Sequence, residues 1–278
     1  MIRLSFQGRR TMTQLLIHNF DRTRHPLPQG NPLRRLSERL TKFDDDLSLS
    51  SLDIGSAEPE TIMRDTTLWS RKEEQDTLYL LVKGCAFTFS ILPNGRRFIA
   101  DVYRGGSICN WRGFAMNSLS TDIQVKAGAQ LLRLPAEALR KACADRPALE
   151  NALSLHENAR AYRSLQRMRT LVVGRSEDKF LHFLLDLQDE LTTPQGPKEQ
   201  IDPIMTQIEI SDMLGMSAVH LNRTIQSLLA AKAIERTTRT TYRIKDRERE
   251  AENLNYRYFF SPDLNESSGK HSSVEQLR

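Results

Sequence analysis

The side chains best equipped for chemistry lie in one stretch, residues 206–236, TQIEISDMLGMSAVHLNRTIQSLLAAKAIER. They are not the carboxylate pairs or histidine clusters of a catalytic or metal site. Ala218, Val219, His220, Asn222, Arg223 and Gln226 lie on one side of a helical repeat whose other side is Leu221, Ile225, Leu228 and Leu229. Arginine and asparagine grip guanine and adenine edges through paired hydrogen bonds, and a small apolar side chain can meet a thymine methyl. The chemistry on offer is recognition of base edges in a DNA groove. An ordinary helical hairpin also presents a solvated polar face, so charge has to decide. Residues 215–245 hold six basic side chains (Arg223, Lys232, Arg236, Arg239, Arg243, Lys245) against Glu235 alone. That excess of five equals the formal net charge of the whole chain, +5, and places it where a phosphate backbone would be met.

Two helices and a turn must position those residues. Thr206 with Glu209 three residues on is a capping-box pattern that satisfies the free N–H groups at a helix start. Ile210, Met213 and Leu214 form its buried face, and Gly215 supplies the positive φ of a sharp turn. Ser217 caps the second helix. Residues 234–244 are rich in Thr and Tyr, which suits a two-stranded wing whose Arg236, Arg239 and Arg243 would meet phosphates.

Upstream, residues 31–43 place Leu33, Leu36 and Leu40 at helical spacing, and residues 44–60 read as loop or short helix. Short apolar runs at 77–83, 86–92, 97–103, 122–126 and 130–134 read as strands of a small antiparallel barrel or roll, with Pro93-Asn94-Gly95 as a hairpin turn. A short helix follows at 136–144. Pro147 then opens a long helix to Val173, with Ala152, Leu155, Ala159, Tyr162, Leu165, Met168 and Val172 as an apolar stripe. Such a stripe suits a two-helix dimer seam or packing on the chain's own roll. Gly174 ends it, and 176–191 is a further amphipathic helix.

At 278 residues the chain is long enough for two domains. Its 39% hydrophobic and 27% charged content is an ordinary globular balance, and no run reaches membrane-spanning length. The first twelve residues lack a signal-peptide pattern, so a cytoplasmic location is expected. Cys85, Cys109 and Cys143 are too few and too scattered for an iron–sulfur cluster, and none of the six histidines lies three or four residues from another. No metal and no cofactor is expected. Cys109, Cys143 and His182 could in principle pair as nucleophile and base, but no motif supports a catalytic site.

The order of roll, long helix, short helix, helix-turn-helix and wing resembles the Crp/Fnr family of bacterial transcription regulators over roughly residues 31–245. The resemblance is strongest in residues 206–236 and in YLLVKGCAFTFSILPNGRRFI, and the VHLNRTIQ core resembles a Val-His-x-Asn-Arg subgroup. It implies that Ala218, Val219, Asn222 and Arg223 face bases, while Thr206, His220 and Gln226 lie near phosphate or the groove edge. Ala218 stands where cyclic-AMP-type members carry a guanine-reading arginine. In the roll, the stretch matching the family's Gly-Glu-Leu and Arg-Ser/Thr-Ala nucleotide motifs is GSICNWRG from Gly106, then STDIQ from Ser120. It lacks the ribose-binding carboxylate and the phosphate-binding arginine, so a cyclic-AMP effector is not expected. Any effector pocket would involve Gly106, Asn110, Trp111, Arg112 and Thr121.

The expected fold is therefore α+β, in five parts. These are a flexible extension (1–30), a cyclic-nucleotide-binding-like antiparallel β-roll (31–146), a dimerisation helix (147–173), a winged helix-turn-helix (174–246) and a disordered tail (247–278) that opens on a solvated helical stub and whose aromatic cluster could dock on the body or a partner. The expected function is sequence-specific binding of double-stranded DNA as a homodimer, with RNA polymerase as a further partner and no identified effector. The alternative is a ligand-sensing or protein-interaction module in which the roll does the work.

Overall fold

The computed structural model describes residues 27, 30–44, 47, 49, 57–69, 77–111, 122–193 and 196–259. Most of the expected N-terminal extension, the tail from residue 260, Arg112 and Thr121 lie outside the described residues. Helix α1 (Arg34–Leu40) precedes the roll, which is built from β1 (Glu60–Thr61), β2 (Thr66–Trp69), β3 (Thr77–Lys83), β4 (Cys85–Ile91), β5 (Arg97–Arg104), β6 (Ser107–Ile108), β7 (Asp122–Val125) and β8 (Gln130–Pro135). They form two four-stranded antiparallel sheets, ordered β1-β8-β3-β6 and β2-β7-β4-β5. Leu81, Ala86, Tyr103, Ile123, Val125 and Leu131 share one buried cluster inside the roll. The β4–β5 hairpin closes as its Asn-Gly dipeptide requires: Gly95 has φ 78°, and the Asn94 side chain accepts the Arg96 N–H at 3.1 Å. Strands β1, β2 and β6 are absent from the sequence expectation, and the two residues of β1 and of β6 are too few to develop an alternation.

Helix α2 (Ala136–Asp145) leads into the long α3 (Pro147–Val173), which has proline in its first turn. The expected apolar stripe of α3 divides in two. Ala152 and Ala159 are buried on the body, whereas Leu155, Tyr162, Leu165, Met168 and Val172 are exposed, the last at 77%. The face that packs inward is largely polar, with His156, Arg160, Arg163, Gln166, Arg167 and Thr170 buried. Carboxylates from elsewhere make this possible. Arg160 reaches Asp101 of β5 and Glu190 of α4 (Ser176–Glu190), both at 2.5 Å. Arg163 meets Glu190 at 2.6 Å, and Arg167 meets Asp186 at 2.7 Å and Asp101 at 3.0 Å. Arg39 of α1 donates to the Glu190 carbonyl at 2.7 Å, so roll, long helix and α4 converge on one buried ion network.

Helices α5 (Gln207–Leu214) and α6 (Ala218–Ala230) and the paired strands β9 (Ile234–Arg236) and β10 (Tyr242–Ile244) complete a winged helix-turn-helix. Its core of Phe180, Leu184, Ile210, Met213, Leu221 and Ile225 is continuous with Cys85, Phe87, Ile99 and Val102 of the roll. The tail opens on the expected helical stub, and its aromatic residues as far as 259 dock on the body. Helix α7 (Arg247–Asn253) is capped by Asp246, and Tyr256 and Tyr258 are buried against the body. Burial of two aromatic rings is enough to hold a short polar segment in place.

Candidate nucleic-acid interface

The expected capping box is present. Thr206 Oγ1 accepts the Glu209 N–H at 3.2 Å and the Glu209 carboxylate accepts the Thr206 N–H at 2.7 Å. Thr206 is exposed, so its hydroxyl proton can still donate outward to a phosphate oxygen. Gly215 ends α5 with φ 65°, a left-handed conformation that turns the chain directly into Ser217. Ser217 Oγ accepts the His220 N–H at 3.2 Å and starts α6.

Leu221, Ile225 and Leu228 bury one face of α6. Val219, Asn222, Arg223 and Gln226 stand exposed on the other at positions i, i+3, i+4 and i+7, and Ala218 is half-buried at the helix start. The exposed four make a ridge one side chain wide, with one cation, two amides and one apolar branched side chain. His220, placed by resemblance near the groove edge, is exposed, and its Nε2 lies 2.5 Å from Ser176 Oγ at the start of α4. Of the sequence-predicted contacts, Val219, Asn222, Arg223 and Gln226 thus share one face of α6, and Thr206 is exposed at the start of α5.

The wing treats its arginines unequally. Arg239 is exposed at the tip between β9 and β10. Arg236 lies with its guanidinium 5.5 Å from the Tyr242 ring centre, a cation–π contact that holds it on the domain. Arg243 is paired with Glu235 at 2.6 Å and with Glu199 at 3.5 Å, and Lys245 shares Glu235. Hydrogen bonds from Lys245 and Arg243 pull the Glu235 carboxyl down to about 2. Part of the positive excess is therefore neutralised within the wing.

The helix-turn-helix also touches the roll through charge. Lys126 Nζ donates to Glu209 at 2.8 Å, Arg97 pairs with Asp212 at 2.8 Å, and Arg104 donates to the Pro203 carbonyl at 3.0 Å. Sequence reasoning missed all three, since each joins residues more than eighty positions apart.

In the roll, the described residues of the expected effector pocket, Gly106, Asn110 and Trp111, are engaged with the fold itself. Asn110 accepts the Tyr79 N–H at 2.9 Å and donates to the Thr77 carbonyl at 2.8 Å. A Cβ on Gly106 would lie 2.7 Å from the Arg35 carbonyl oxygen, so this glycine is needed for the approach of α1. Ile108 and Cys109 are buried, and Trp111 packs against the cluster formed by α1, α2 and the outer face of β3 and β8. The described residues of this loop, 105–111, hold no carboxylate to offer a ribose. Burial raises the Cys85, Cys109 and Cys143 thiols, Cys109 to about 12, opposite to an activated nucleophile. Among the described residues no helix is long and apolar enough to cross a membrane.

Residues 59–146 match the cyclic nucleotide-binding domain family, and residues 178–249 match the Crp-like helix-turn-helix domain family. The chain is 27% identical over 169 residues to the Transcriptional activatory protein AadR of Rhodopseudomonas palustris, spanning 60% of this chain and 69% of that protein. It is 25% identical over 183 residues to the Global nitrogen regulator of Synechococcus elongatus, spanning 63% of this chain and 80% of that one. The structure of FixK2 from Bradyrhizobium japonicum superposes with a TM-score of 0.62 at 17% identity, over 72% of this chain and 98% of that one, a likeness of fold. Both relatives carry the names of regulators.

Proposed function

We propose that this chain, a DNA-binding transcription regulator of the Crp/Fnr type, works as a homodimer on a pseudo-palindromic operator and does so without cyclic AMP. The observation that carries the reading is the outward ridge of α6, Val219, Asn222, Arg223 and Gln226, set on a helix whose opposite face is apolar and buried. Arg223 and Asn222 read base edges, Val219 and Ala218 meet thymine methyls, and Thr206, Ser217, His220 and Gln226 border the phosphates. The Val-His-x-Asn-Arg core, with Ala218 at the helix start, gives this chain an operator different from that of cyclic-AMP-type members.

The dimer rests on α3. Leu155, Tyr162, Leu165, Met168 and Val172 are 39–77% exposed and recur at intervals of three, four and seven, the pattern of a helix seam. A second copy covering that seam relates two recognition helices by a two-fold axis, with half-sites about one helical turn apart. Independence from cyclic AMP is supported by Gly106 and Asn110, which are engaged with α1 and β3. The chain acts by binding, in the cytoplasm, and RNA polymerase is its expected further partner.

Selection of bound duplexes from a random pool, with and without a metabolite extract, tests the reading. An inverted repeat enriched without any added nucleotide is the expected result. A single half-site would overturn the dimer, and enrichment only with cyclic AMP would overturn effector independence.

A further inference from the structure

Residues 254–259 lie beyond both matched domains, yet they make a dense set of contacts with two helices at once. Arg169 of α3 donates to the carbonyls of Leu254 at 2.8 Å and Asn255 at 3.0 Å. The Gln166 amide, also on α3, pairs with the Arg257 backbone in both directions, donating to its carbonyl at 3.1 Å and accepting its N–H at 2.9 Å. On the other side, Tyr256 donates its hydroxyl to Asp186 of α4 at 3.0 Å and sets its ring edge-on to His182 at 5.0 Å. The Phe259 N–H reaches Asp189 of α4 at 3.0 Å, and its ring lies 5.4 Å from Tyr162 of α3. Asn255 has φ 46°, an uncommon conformation for a residue with a side chain, and the bend it makes turns Tyr256 inward.

Helices α3 and α4 are joined by only Gly174 and Arg175. Two residues of linker leave the angle between the helices to the contacts made across the joint, which are the buried ion pairs of Arg160, Arg163 and Arg167 with Glu190 and Asp186 and the contacts of residues 254–259. The segment ties Gln166 and Arg169 before the joint to Asp186 and Asp189 after it, and Asp186 is itself paired with Arg167 at 2.7 Å. Helix α6 packs on α4, so whatever sets the α3–α4 angle also sets the direction of the recognition helix.

We propose that residues 254–259 are a strap that fixes the angle between the long helix and the DNA-binding unit, making Gln166, Arg169, Asp186 and Tyr256 positioning residues for DNA recognition. The inference rests on the homodimer reading, because in a dimer joined along α3 this angle sets the rotation and separation of the two recognition helices. A strap of this kind acts on geometry, so loosening it relaxes the demand for one half-site spacing while each half-site is still read.

The test uses the half-site recovered from random-pool selection, built into duplexes with the matched spacer and with spacers longer or shorter by two base pairs, about 70° of rotation. Dissociation constants are measured by fluorescence anisotropy for the full chain, for a chain ending at Leu254, and for Gln166→Ala and Tyr256→Phe. The expected result is that the penalty for a shifted spacer shrinks by about tenfold on truncation and by less in the point variants, with affinity for an isolated half-site unchanged. A uniform loss of affinity at every spacing, or a penalty equal to that of the full chain, overturns the strap. If the truncated chain does not fold, Gln166→Ala and Tyr256→Phe decide. A full chain indifferent to spacing overturns the dimer reading and the strap with it.

Discussion

Lys126 and Glu209 meet at 2.8 Å across the boundary between the roll and the helix-turn-helix. One oxygen of Glu209 accepts the Lys126 ammonium while the other caps the Thr206 N–H, so a single carboxylate starts α5 and anchors it to the roll. Asp65 shares the same ammonium. Burial works against the charge on Lys126, but the hydrogen bonds to Asp65 and Glu209 outweigh it and hold the pKa above the usual lysine value. Lys126→Met leaves Glu209 buried without its cation and is expected to cost about 3 kcal/mol of stability. Adding Glu209→Gln removes the stranded charge, so the double variant should lose less than the two single losses combined. Urea unfolding of the four proteins measures this, and strict additivity would show the pair to be uncoupled.

How much of this was legible in the sequence depends on how local the signal is. Leu221, Ile225 and Leu228 announce a helix face within eight residues, and Asn222, Arg223 and Gln226 announce its opposite, so the recognition surface is readable from one window. Arg160, Arg163 and Arg167 also recur at spacings of three and four, but arginine in that pattern reads as a solvated face. Only Asp101, Asp186 and Glu190, brought from other elements, make the face buriable, and no window contains both halves. Although burial alone would raise Asp101 and Glu190, the arginines hold both below the ordinary carboxylate range. The wing shows a similar limit. Arg243 lies opposite Glu235 in the β9–β10 register, a pairing visible only once the turn length is known.

Stability is expected to fall below neutral pH. His156 and His182 are buried, and burial holds both pKa values below that of a free imidazole despite Glu157 and Asp186 beside them. As pH drops through about 6.5 the unfolded chain takes up protons that the folded chain does not, so folding loses up to about 1.4 kcal/mol per pH unit for each histidine. Asp101 and Glu190 act lower. Their depressed pKa values contribute stability that is present above about pH 4 and is lost as pH falls further. Urea midpoints at pH 7 and pH 5.5 should differ less in His182→Gln than in the parent chain. An identical loss in both would remove His182 from the account.

Salt dependence separates the wing arginines. Arg239 is exposed at the tip, so Arg239→Ala should lower the slope of log K against log salt by about 0.9 for each phosphate it no longer neutralises, twice over in a dimer. Glu235→Gln should act in the opposite direction, because it releases Lys245 and leaves Arg243 only its longer pair with Glu199, so that both can reach phosphates. Anisotropy titrations from 50 to 200 mM salt (about the range over which phosphate contacts dominate) decide it. Weaker binding by Glu235→Gln would mean that the ion pair holds the wing in shape.

Base readout turns on Arg223. It is exposed on α6 one turn beyond Val219 and beside Asn222, and its guanidinium can offer two parallel N–H groups to the O6 and N7 of a guanine. A phosphate contact at the same place would strengthen binding to every sequence alike. A base contact would strengthen binding to one base pair only. Arg223→Ala is therefore expected to cost about 1–3 kcal/mol on the selected operator and much less on operators mutated at the base pair Arg223 reads. Arg223→Lys keeps the charge but loses the two-pronged geometry, so it should restore general affinity without restoring the preference. If Arg223→Ala weakens matched and mismatched duplexes by the same factor, Arg223 meets the backbone, and readout passes to Asn222 and its neighbours on the ridge.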